Sequence, residues 1–306
     1  MKKISYFLSI ALMSILIACG GGKSGSKELA CPDESVPFVS GIINKVVVVP
    51  EDGDTFPEYA VIERNQIDLN AFPKDADGAI ILFCGKTLYG WRGYNKDVVP
   101  GRWIIDEEEG ALKFQGAGEG EAQDGDGGDI IFAHKFKNFE LSIDWKVSRA
   151  GNSGVFYLAQ EIEAKNREGN WRLEPIFISA PESQVLDNDN HPDARAGANR
   201  KSSSLYDMIA ADPQNANPFG EWNNTTIIVD RGNVYHFQNG ERVVSYNLWT
   251  PKWTDMLQAS KFSQERWPLA FELLNNVGGQ NREGYIGLQD HGDDVWFKNI
   301  RIKILD

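Results

Sequence analysis

The chain has few cysteines, a deficit of positive charge and, beyond its N-terminus, no long hydrophobic run. Three of its 306 residues are cysteine and four are histidine, and 31 Lys and Arg residues stand against 44 Asp and Glu residues. The formal net charge of −13 argues against nucleic acid or an anionic membrane surface as a partner. Three cysteines are also too few for a zinc ribbon or a disulfide framework.

The single long apolar run predicts a secretory signal. It covers 4–18, follows a short basic start, and is too short for a comfortable membrane span. It ends in Leu16-Ile17-Ala18-Cys19, which resembles a bacterial lipobox. We therefore predict a lipoprotein signal peptide over 1–18, lipidation of Cys19, and a flexible tether over 19–37. These features predict a lipid-anchored protein of the bacterial cell envelope, facing the periplasm or exposed on the outer membrane; ordinary cleavage without lipidation is the alternative.

The two remaining cysteines leave their pairing open. An oxidising envelope would allow Cys31 and Cys84 to form a disulfide. Cys84 follows a predicted strand, and taken alone it is interpreted as a buried strand residue.

Short strands dominate the chain after residue 40. Alternation of apolar and polar residues is clearest over 139–147 and 295–304, and 230–243 predicts two successive hairpin turns. The best helix candidate is 253–262. The predicted strands are 45–49, 79–83, 102–105, 111–115, 129–133, 139–147, 154–159, 184–186, 224–230, 234–238, 242–248, 284–289 and 295–304.

This pattern predicts an all-β fold, a jelly-roll sandwich of two antiparallel sheets. We assign the sandwich domain to 79–306 and predict that 38–78 is an N-terminal extension packed on the sandwich edge. The Gly-rich acidic loop over 116–128 lacks the Gly-x-Gly-x-x-Gly spacing and any lysine, so no nucleotide cofactor is expected.

Three histidines lie in dense polar clusters. His191 lies in 184–193, His291 in 288–292, and His236 in a strand-like stretch. Imidazole titrates near neutral pH, so a histidine beside carboxylates and amides can move protons or bind a metal. The fourth histidine, His134, is interpreted as structural.

The cluster around His191 begins on a predicted strand. Glu182 and Gln184 share one face of it, and Asp187 and Asn188 follow its end. A solvated strand followed by an Asn/Asp turn is the simpler interpretation. An oxygen-rich loop with one imidazole can also hold a divalent ion, for which Asp187 and His191 are the candidate ligands.

Further polar and aromatic residues suit sugar recognition, in which amides and carboxylates pair with hydroxyls. Asn152 lies in a Gly-Asn-Ser-Gly turn, and Tyr206 and Glu221 lie in two later polar segments. Lys201 is either an oxyanion partner or an ordinary surface lysine.

Several motifs in a fixed order resemble the DUF1080 family of 3-keto-glycoside lyases and hydratases, formerly 3-keto-disaccharide hydrolases. The resemblance covers about 79–305, and Cys84 departs from the family's usual Asn. Its motifs are Ile81-Leu82-Phe83-Cys84-Gly85-Lys86-Thr87-Leu88-Tyr89-Gly90-Trp91, Gly151-Asn152-Ser153-Gly154, Gln184-Val185-Leu186-Asp187-Asn188 with His191, Leu205-Tyr206-Asp207, Gly220-Glu221-Trp222-Asn223, His236 with Asn239-Gly240, and Gln289-Asp290-His291-Gly292 with Phe297-Lys298-Asn299-Ile300.

The resemblance implies a concanavalin-like sandwich and cleavage of 3-keto-glycosides by β-elimination, with or without hydration of the resulting 3-keto-2-hydroxyglucal. A separate glycoside 3-oxidoreductase would supply the ketone. We hypothesise that His191 or His291 is the base, and that Asp187 and Asp290 orient it or bind one divalent metal ion. The predicted substrate-binding residues are Asn152, Glu182, Gln184, Asn188, Tyr206, Glu221, His236, Gln289 and Asp290.

Two non-enzymatic functions compete with this one. The first is a carbohydrate-binding module on the same sandwich, and the second is a structural envelope lipoprotein whose polar clusters are only turns. Fold alone cannot separate them.

Overall fold

The computed structural model describes residues 29–51, 55–116 and 126–306. The predicted signal peptide, Cys19 and most of the tether lie outside the described residues, as does most of the Gly-rich acidic loop. None of the helices in the described ranges is long and apolar enough to cross a membrane.

The fold is all-β and antiparallel, as predicted, with three sheets rather than two. The five-stranded sheet has the order β12(Glu182–Leu186), β9(Asn152–Ala159), β16(Gly284–Leu288), β7(Ile130–Phe136) and β4(Trp91–Gly93). The eight-stranded sheet has the order β15(Glu241–Asn247), β14(Asn233–Gln238), β13(Asn223–Asp230), β8(Phe139–Val147), β17(Val295–Ile304), β6(Ala111–Phe114) and β5(Trp103–Asp106), with β3(Ile80–Ile81) paired to β17.

The sandwich core lies between these two sheets. Phe139, Leu141, Ile143, Trp145 and Val147 alternate along β8 and are all buried. Their period of two places one apolar face of the eight-stranded sheet against the five-stranded sheet. This alternation explains why β8 and β17 have the bounds that the sequence predicts.

The five-stranded sheet is buried on both faces at its centre. All residues of β9 and β16 are buried. Val155 and Tyr157 belong to the sandwich core, whereas Phe156 belongs to a second apolar cluster that includes Ile176 and Tyr285. The outer face of this sheet is therefore covered by loops in its middle, and its polar end near β12 provides the site described below.

A third sheet forms where the sequence predicts an extension at the sandwich edge. It has the order β1(Ile42–Val48), β2(Tyr59–Arg64), β10(Glu161–Lys165) and β11(Trp171–Leu173), of which only β1 is predicted from the sequence. Residues 38–78 thus pair with β10, a strand of the sandwich segment, and β10 in turn pairs with β11. Arg64 of β2 and Arg92 of β4 both contact the fully buried carboxylate of Glu161, at 3.2 and 2.6 Å.

Cys31 and Cys84 form a disulfide with Cα atoms 5.2 Å apart. The bond resolves the pairing that the sequence leaves open, and it corrects the interpretation of Cys84 as only a buried strand residue. It joins the start of the described chain to the turn after β3.

The helices within the described ranges are short and lie outside the sheets. They are α1(Asp193–Ala196), α2(Pro251–Ala259) and α3(Pro268–Asn275). Thr250 caps α2 by accepting a hydrogen bond from the backbone N–H of Trp253. The helix predicted over 253–262 therefore begins and ends earlier than expected. The chain leaves the helix at Ser260, and Lys261 lies beside β12 residues.

Candidate functional site

A small polar recess lies on the outer face of the five-stranded sheet, beside β12. Val185 points into the sandwich core. Glu182 and Gln184 have the opposite orientation along β12, so they point outward, as the alternation predicts. The recess is lined by Asn152, Phe177, Glu182, Gln184, Tyr206, Lys261, Gln289 and His291. Six of these eight are residues that the sequence analysis singles out.

The pairing of β9 with β12 positions the carboxylate of Glu182. Gln184 stands opposite Gly154, and Glu182 stands opposite Phe156. A Cβ atom on Gly154 would lie 2.3 Å from Oε1 of Glu182. The glycine is therefore required for the carboxylate to lie across the strand.

The segment 201–206 runs beside β12 like an additional strand. Ser203 donates its backbone N–H to the carbonyl oxygen of Gln184 at 2.7 Å, and Tyr206 donates its backbone N–H to that of Glu182 at 3.1 Å. These bonds bring the Tyr206 ring to the recess, where its hydroxyl donates to Asp193 at 3.1 Å.

His236 lies beneath this segment, fully buried in the sandwich, and does not line the recess as predicted. Its Nδ1 is 2.9 Å from the carbonyl oxygen of Ser203, and its Nε2 is 2.7 Å from the hydroxyl of Tyr157. Because a carbonyl only accepts, Nδ1 carries the proton and Nε2 accepts from Tyr157. Burial lowers the pKa of His236 to about 4, so the ring is neutral and anchors the segment.

His291 enters the recess from the loop after β16. Its Nε2 is 3.2 Å from Nδ2 of Asn152, which is itself almost fully buried. The backbone N–H of Asn152 donates to Asp293 at 3.1 Å, so one residue orients both the imidazole and the carboxylate. Gln289 is held beside β9 by its backbone N–H, which donates to the carbonyl oxygen of Gly154.

His191 approaches the same loop from the other side, and its ring centroid is 6.0 Å from that of His291. The backbone N–H of Asp193 donates to Nδ1 of His191 at 3.1 Å. That nitrogen's lone pair is therefore engaged, and the neutral ring carries its proton on Nε2. Burial is the main cause of a lowered His191 pKa, which favours this neutral form.

One group of possible metal ligands stands out among the described residues. His191, His291 and Asp293 each offer a ligand atom, and these atoms all lie within 4.8 Å of one another. Burial raises the pKa of Asp293, while the nearby His291 acts to lower it. Two imidazoles and one carboxylate suit a borderline divalent ion such as zinc.

Asp187, predicted as a ligand and orienting residue, does not belong to this group. It is almost fully buried, and its oxygens accept hydrogen bonds from the backbone of Ala150, Asp189 and Asn190 and from the Asn190 side chain. A carboxylate engaged by these donors closes the turn after β12. Asp293 takes the place that the sequence analysis gives to Asp187.

Three predicted substrate-binding residues also lie outside the recess. The fully buried Asp290 accepts from the backbone N–H groups of Gly128 and Gly292 and so holds two loops together. Asn188 exchanges hydrogen bonds with Ser202 at both ends of its amide. Glu221 is exposed in the turn before β13.

Two buried amides present unpaired oxygens at the recess. Oδ1 of Asn152 and Oε1 of Gln289 have no hydrogen-bond partner among the described residues, although the two side chains are 2% and 8% exposed. A buried acceptor without a donor costs free energy. A ligand rich in hydroxyl groups would satisfy both.

Lys261 and Phe177, which no sequence motif marks, complete the recess. Nζ of Lys261 lies 4.5 Å from the ring centroid of Tyr206 and 5.3 Å from that of Phe177. Both come from segments without a recognisable motif, and only the folded chain brings them to β12. Lys201, the lysine considered from the sequence, does not line the recess.

Comparisons with known proteins agree with the motifs. Residues 78–303 match the family described as a 3-keto-alpha-glucoside-1,2-lyase-like domain. A Bacteroides thetaiotaomicron protein named 3-keto-disaccharide hydrolase is 58% identical over 312 aligned residues, which cover 100% of both chains. A solved structure from Parabacteroides distasonis, described as a candidate glycosyl hydrolase, is 29% identical with a TM-score of 0.59, covering 76% of this chain and 95% of that one. The resemblance drawn from the motifs is confirmed.

Proposed function

Because the chain belongs to the 3-keto-α-glucoside-1,2-lyase-like family, we propose that it is an enzyme that cleaves 3-keto-glycosides by β-elimination. The observation that carries this proposal is the recess itself, where the imidazole of His291 lies beside buried amides with unpaired oxygens. These amides suit sugar hydroxyls, and the imidazole suits the removal of a proton from carbon.

The reaction proceeds through an enolate. A ketone at C3 acidifies the proton on C2, and a base takes that proton. The electron pair of the C2–H bond forms the C2–C3 double bond and places negative charge on the C3 oxygen. When the ketone re-forms, a C1–C2 double bond appears and the bond from C1 to the aglycone oxygen breaks. The products are the aglycone and a 3-keto-2-hydroxyglucal, to which water can add.

We assign the proton abstraction to His291. It lines the recess, whereas His191 does not, and the Asp193 N–H engages Nδ1 of His191. The imidazolium formed on His291 then holds a proton for the oxygen that departs from C1, the carbon next to C2. Glu182, Gln184 and Gln289 bind sugar hydroxyls around it.

The carboxylate content of the recess favours elimination over ordinary glycoside hydrolysis. An ordinary glycosidase needs two carboxyl groups that flank the scissile bond. Among the described residues that line the recess, Glu182 is the single carboxylate. A base next to an activated C2–H bond needs no second one.

We also propose that His191, His291 and Asp293 can hold one divalent ion. A bound ion would supply Lewis-acid polarisation of a substrate oxygen, and because it would take the lone pair of His291, proton abstraction by that imidazole belongs to the ion-free protein. Metal analysis of the purified protein tests this part, with His191→Ala expected to lose the ion. Metal content that is equal in the wild type and the variant would contradict the site.

The reaction is tested with paired substrates. The protein is incubated with an aryl 3-keto-glucoside and with the corresponding unoxidised glucoside, and the released aglycone is measured. We expect release from the ketone only, with the 3-keto-2-hydroxyglucal detected as an intermediate. Equal release from both substrates would indicate ordinary hydrolysis. Binding without release would instead support the non-catalytic carbohydrate-binding function.

The substrate implies a partner reaction and the N-terminus implies a location. We propose that a glycoside 3-oxidoreductase supplies the ketone, and that lipidation of Cys19 anchors the protein in the cell envelope. The Cys31–Cys84 disulfide supports this location, because disulfides persist in oxidising compartments. Membrane fractionation of the wild type and of Cys19→Ser tests the anchor, since only the wild type should remain with the membrane.

A further inference from the structure

Lys261 is the one Lys or Arg among the described residues that line the recess. It follows the end of α2, where Ser260 closes the helix and the chain turns toward β12. Its backbone N–H donates to the carboxylate of Asp207 at 2.8 Å, which fixes the start of this turn. The end of α2, and not the sheet, therefore positions the ammonium group of Lys261 in the recess.

Aromatic rings fix the position of the ammonium group. Nζ of Lys261 lies 4.5 Å from the ring centroid of Tyr206, 5.0 Å from that of Phe262 and 5.3 Å from that of Phe177. Cation–π attraction restricts a flexible lysine while leaving it charged. A restricted ammonium in a recess shared with His291 is suited to stabilise charge that develops during a reaction.

In the proposed elimination, negative charge develops on the carbonyl oxygen of C3, the carbon bonded to the one that loses its proton. The C3 oxygen becomes an enolate oxygen when His291 takes the proton from C2. We propose that Lys261 is a further catalytic residue, whose Nζ–H donates to the C3 oxygen and stabilises the enolate. This inference rests on the proposed function.

The step balances without another reactant. Lys261 keeps its proton and binds the ketone oxygen more strongly once that oxygen carries negative charge. When the ketone re-forms, the electron pair moves to the C1–C2 bond and the aglycone leaves with the proton from His291. Lys261 thus lowers the barrier to proton abstraction without changing the products.

Lys261→Met tests the role, because methionine keeps a long apolar side chain against the rings but removes the charge. We expect kcat for a 3-keto-glucoside to fall about 100- to 1,000-fold, with a much smaller change in KM. Lys261→Arg, which keeps the charge, should retain more activity than Lys261→Met. Lys201→Met is the matched control and should stay within about twofold of the wild type.

A second measurement isolates the proton abstraction. Exchange of the C2 hydrogen with deuterated water is followed on a 3-keto sugar that has no leaving group at C1. Lys261→Met should slow this exchange by a factor similar to its effect on kcat, whereas a purely structural lysine would not act on this step selectively. Thermal unfolding shows whether the variant is folded.

The outcomes separate the two proposals. Wild-type turnover with unchanged kcat and exchange in Lys261→Met would overturn the role of Lys261 and leave the proposed function intact. A wild type that releases no aglycone from any 3-keto-glucoside would overturn the proposed function and this role with it.

Discussion

His191 and His291 lie side by side, yet their ring nitrogens have different partners. The Asp193 N–H occupies Nδ1 of His191, whereas Nε2 of His291 faces the side-chain amide of Asn152 at the recess. The Asn152 amide nitrogen can only donate, so a lone pair is engaged on each ring, and position in the recess is what favours His291 as the base. The same reasoning gives His191 a supporting role on the loop or on a bound ion.

Single replacement of the two histidines tests this assignment. We expect His291→Ala to lower kcat for elimination about 100- to 10,000-fold, because general-base catalysis contributes a factor of that size. If no ion is bound, His191→Ala should have an effect at least tenfold smaller. The measurement is aglycone release from a 3-keto-glucoside, with thermal unfolding as the check on folding. Full activity in His291→Ala would refute the assignment.

Most residues that line the recess are predictable from the sequence, but several other predicted site residues lie outside it. Polar clusters on and after strands predict five residues that the structure brings together in the recess: Asn152, Glu182, Gln184, Gln289 and His291. Asp187 and Asp290 belong to the same clusters but bind backbone N–H groups, and this use of a carboxylate is invisible until the turns form. Tertiary structure brings three further residues to the site, Phe177, Lys261 and Asp293. No sequence motif marks Phe177 or Lys261.

At the level of elements, long alternating strands are predictable and short pairing strands are not. β8 and β17 match their predicted bounds because each has nine or ten residues with a period of two. β4 and β11 have three residues each, which is too short for a period to show. β2 and β10 pair with each other between β1 and β11, and these pairings create the unpredicted third sheet.

The β9–β12 pair sets the position of the Glu182 carboxylate through Gly154. In Gly154→Ala, the new Cβ would lie 2.3 Å from Oε1 of Glu182, so the end of that flexible side chain must move. We expect stability to fall by no more than about 1 kcal/mol, while KM for a 3-keto-glucoside rises at least fivefold. Gly41→Ala is the matched control, since its nearest contact would be an ordinary 3.6 Å. Unchanged KM in Gly154→Ala would show that the carboxylate does not bind substrate.

The segment 201–206 depends on a neutral His236, which makes the stability of the fold pH-dependent. The His236 pKa is lowered from 6.5 to about 4, so the unfolded chain binds the additional proton between these values. Stability from this group is fully present above about pH 6.5 and declines as the pH falls toward 4. A shift of this size corresponds to about 3 kcal/mol.

His236→Asn tests this coupling, because the amide can donate to Ser203 in place of Nδ1 but does not titrate. We expect a lower unfolding midpoint at pH 8, since Tyr157 loses its acceptor, and a flatter midpoint profile between pH 6.5 and 4. KM should also rise, because the segment carries Tyr206. A variant with the wild-type pH slope would assign the pH dependence to other groups.

At the scale of the whole molecule, the described residues that precede the sandwich are joined to it by a disulfide and through the third sheet. β2 pairs with β10, the Arg64 and Arg92 side chains contact the buried Glu161 carboxylate, and the Cys31–Cys84 disulfide adds a covalent link. Neither cysteine lines the recess. The disulfide is therefore expected to contribute to stability and not to catalysis.

The double variant Cys31→Ala/Cys84→Ala tests this separation. The bond closes a loop across a sequence separation of 53, for which the loss of chain entropy in the unfolded state predicts about 2–4 kcal/mol of stability. We expect the melting temperature to fall by roughly 5–10 °C, while kcat at low temperature stays within about twofold of the wild type. Reductant should lower the wild-type melting temperature to that of the variant and leave the variant unchanged. A variant that melts with the wild type, or that loses activity while still folded, would show that the bond acts differently from a constraint on the unfolded chain.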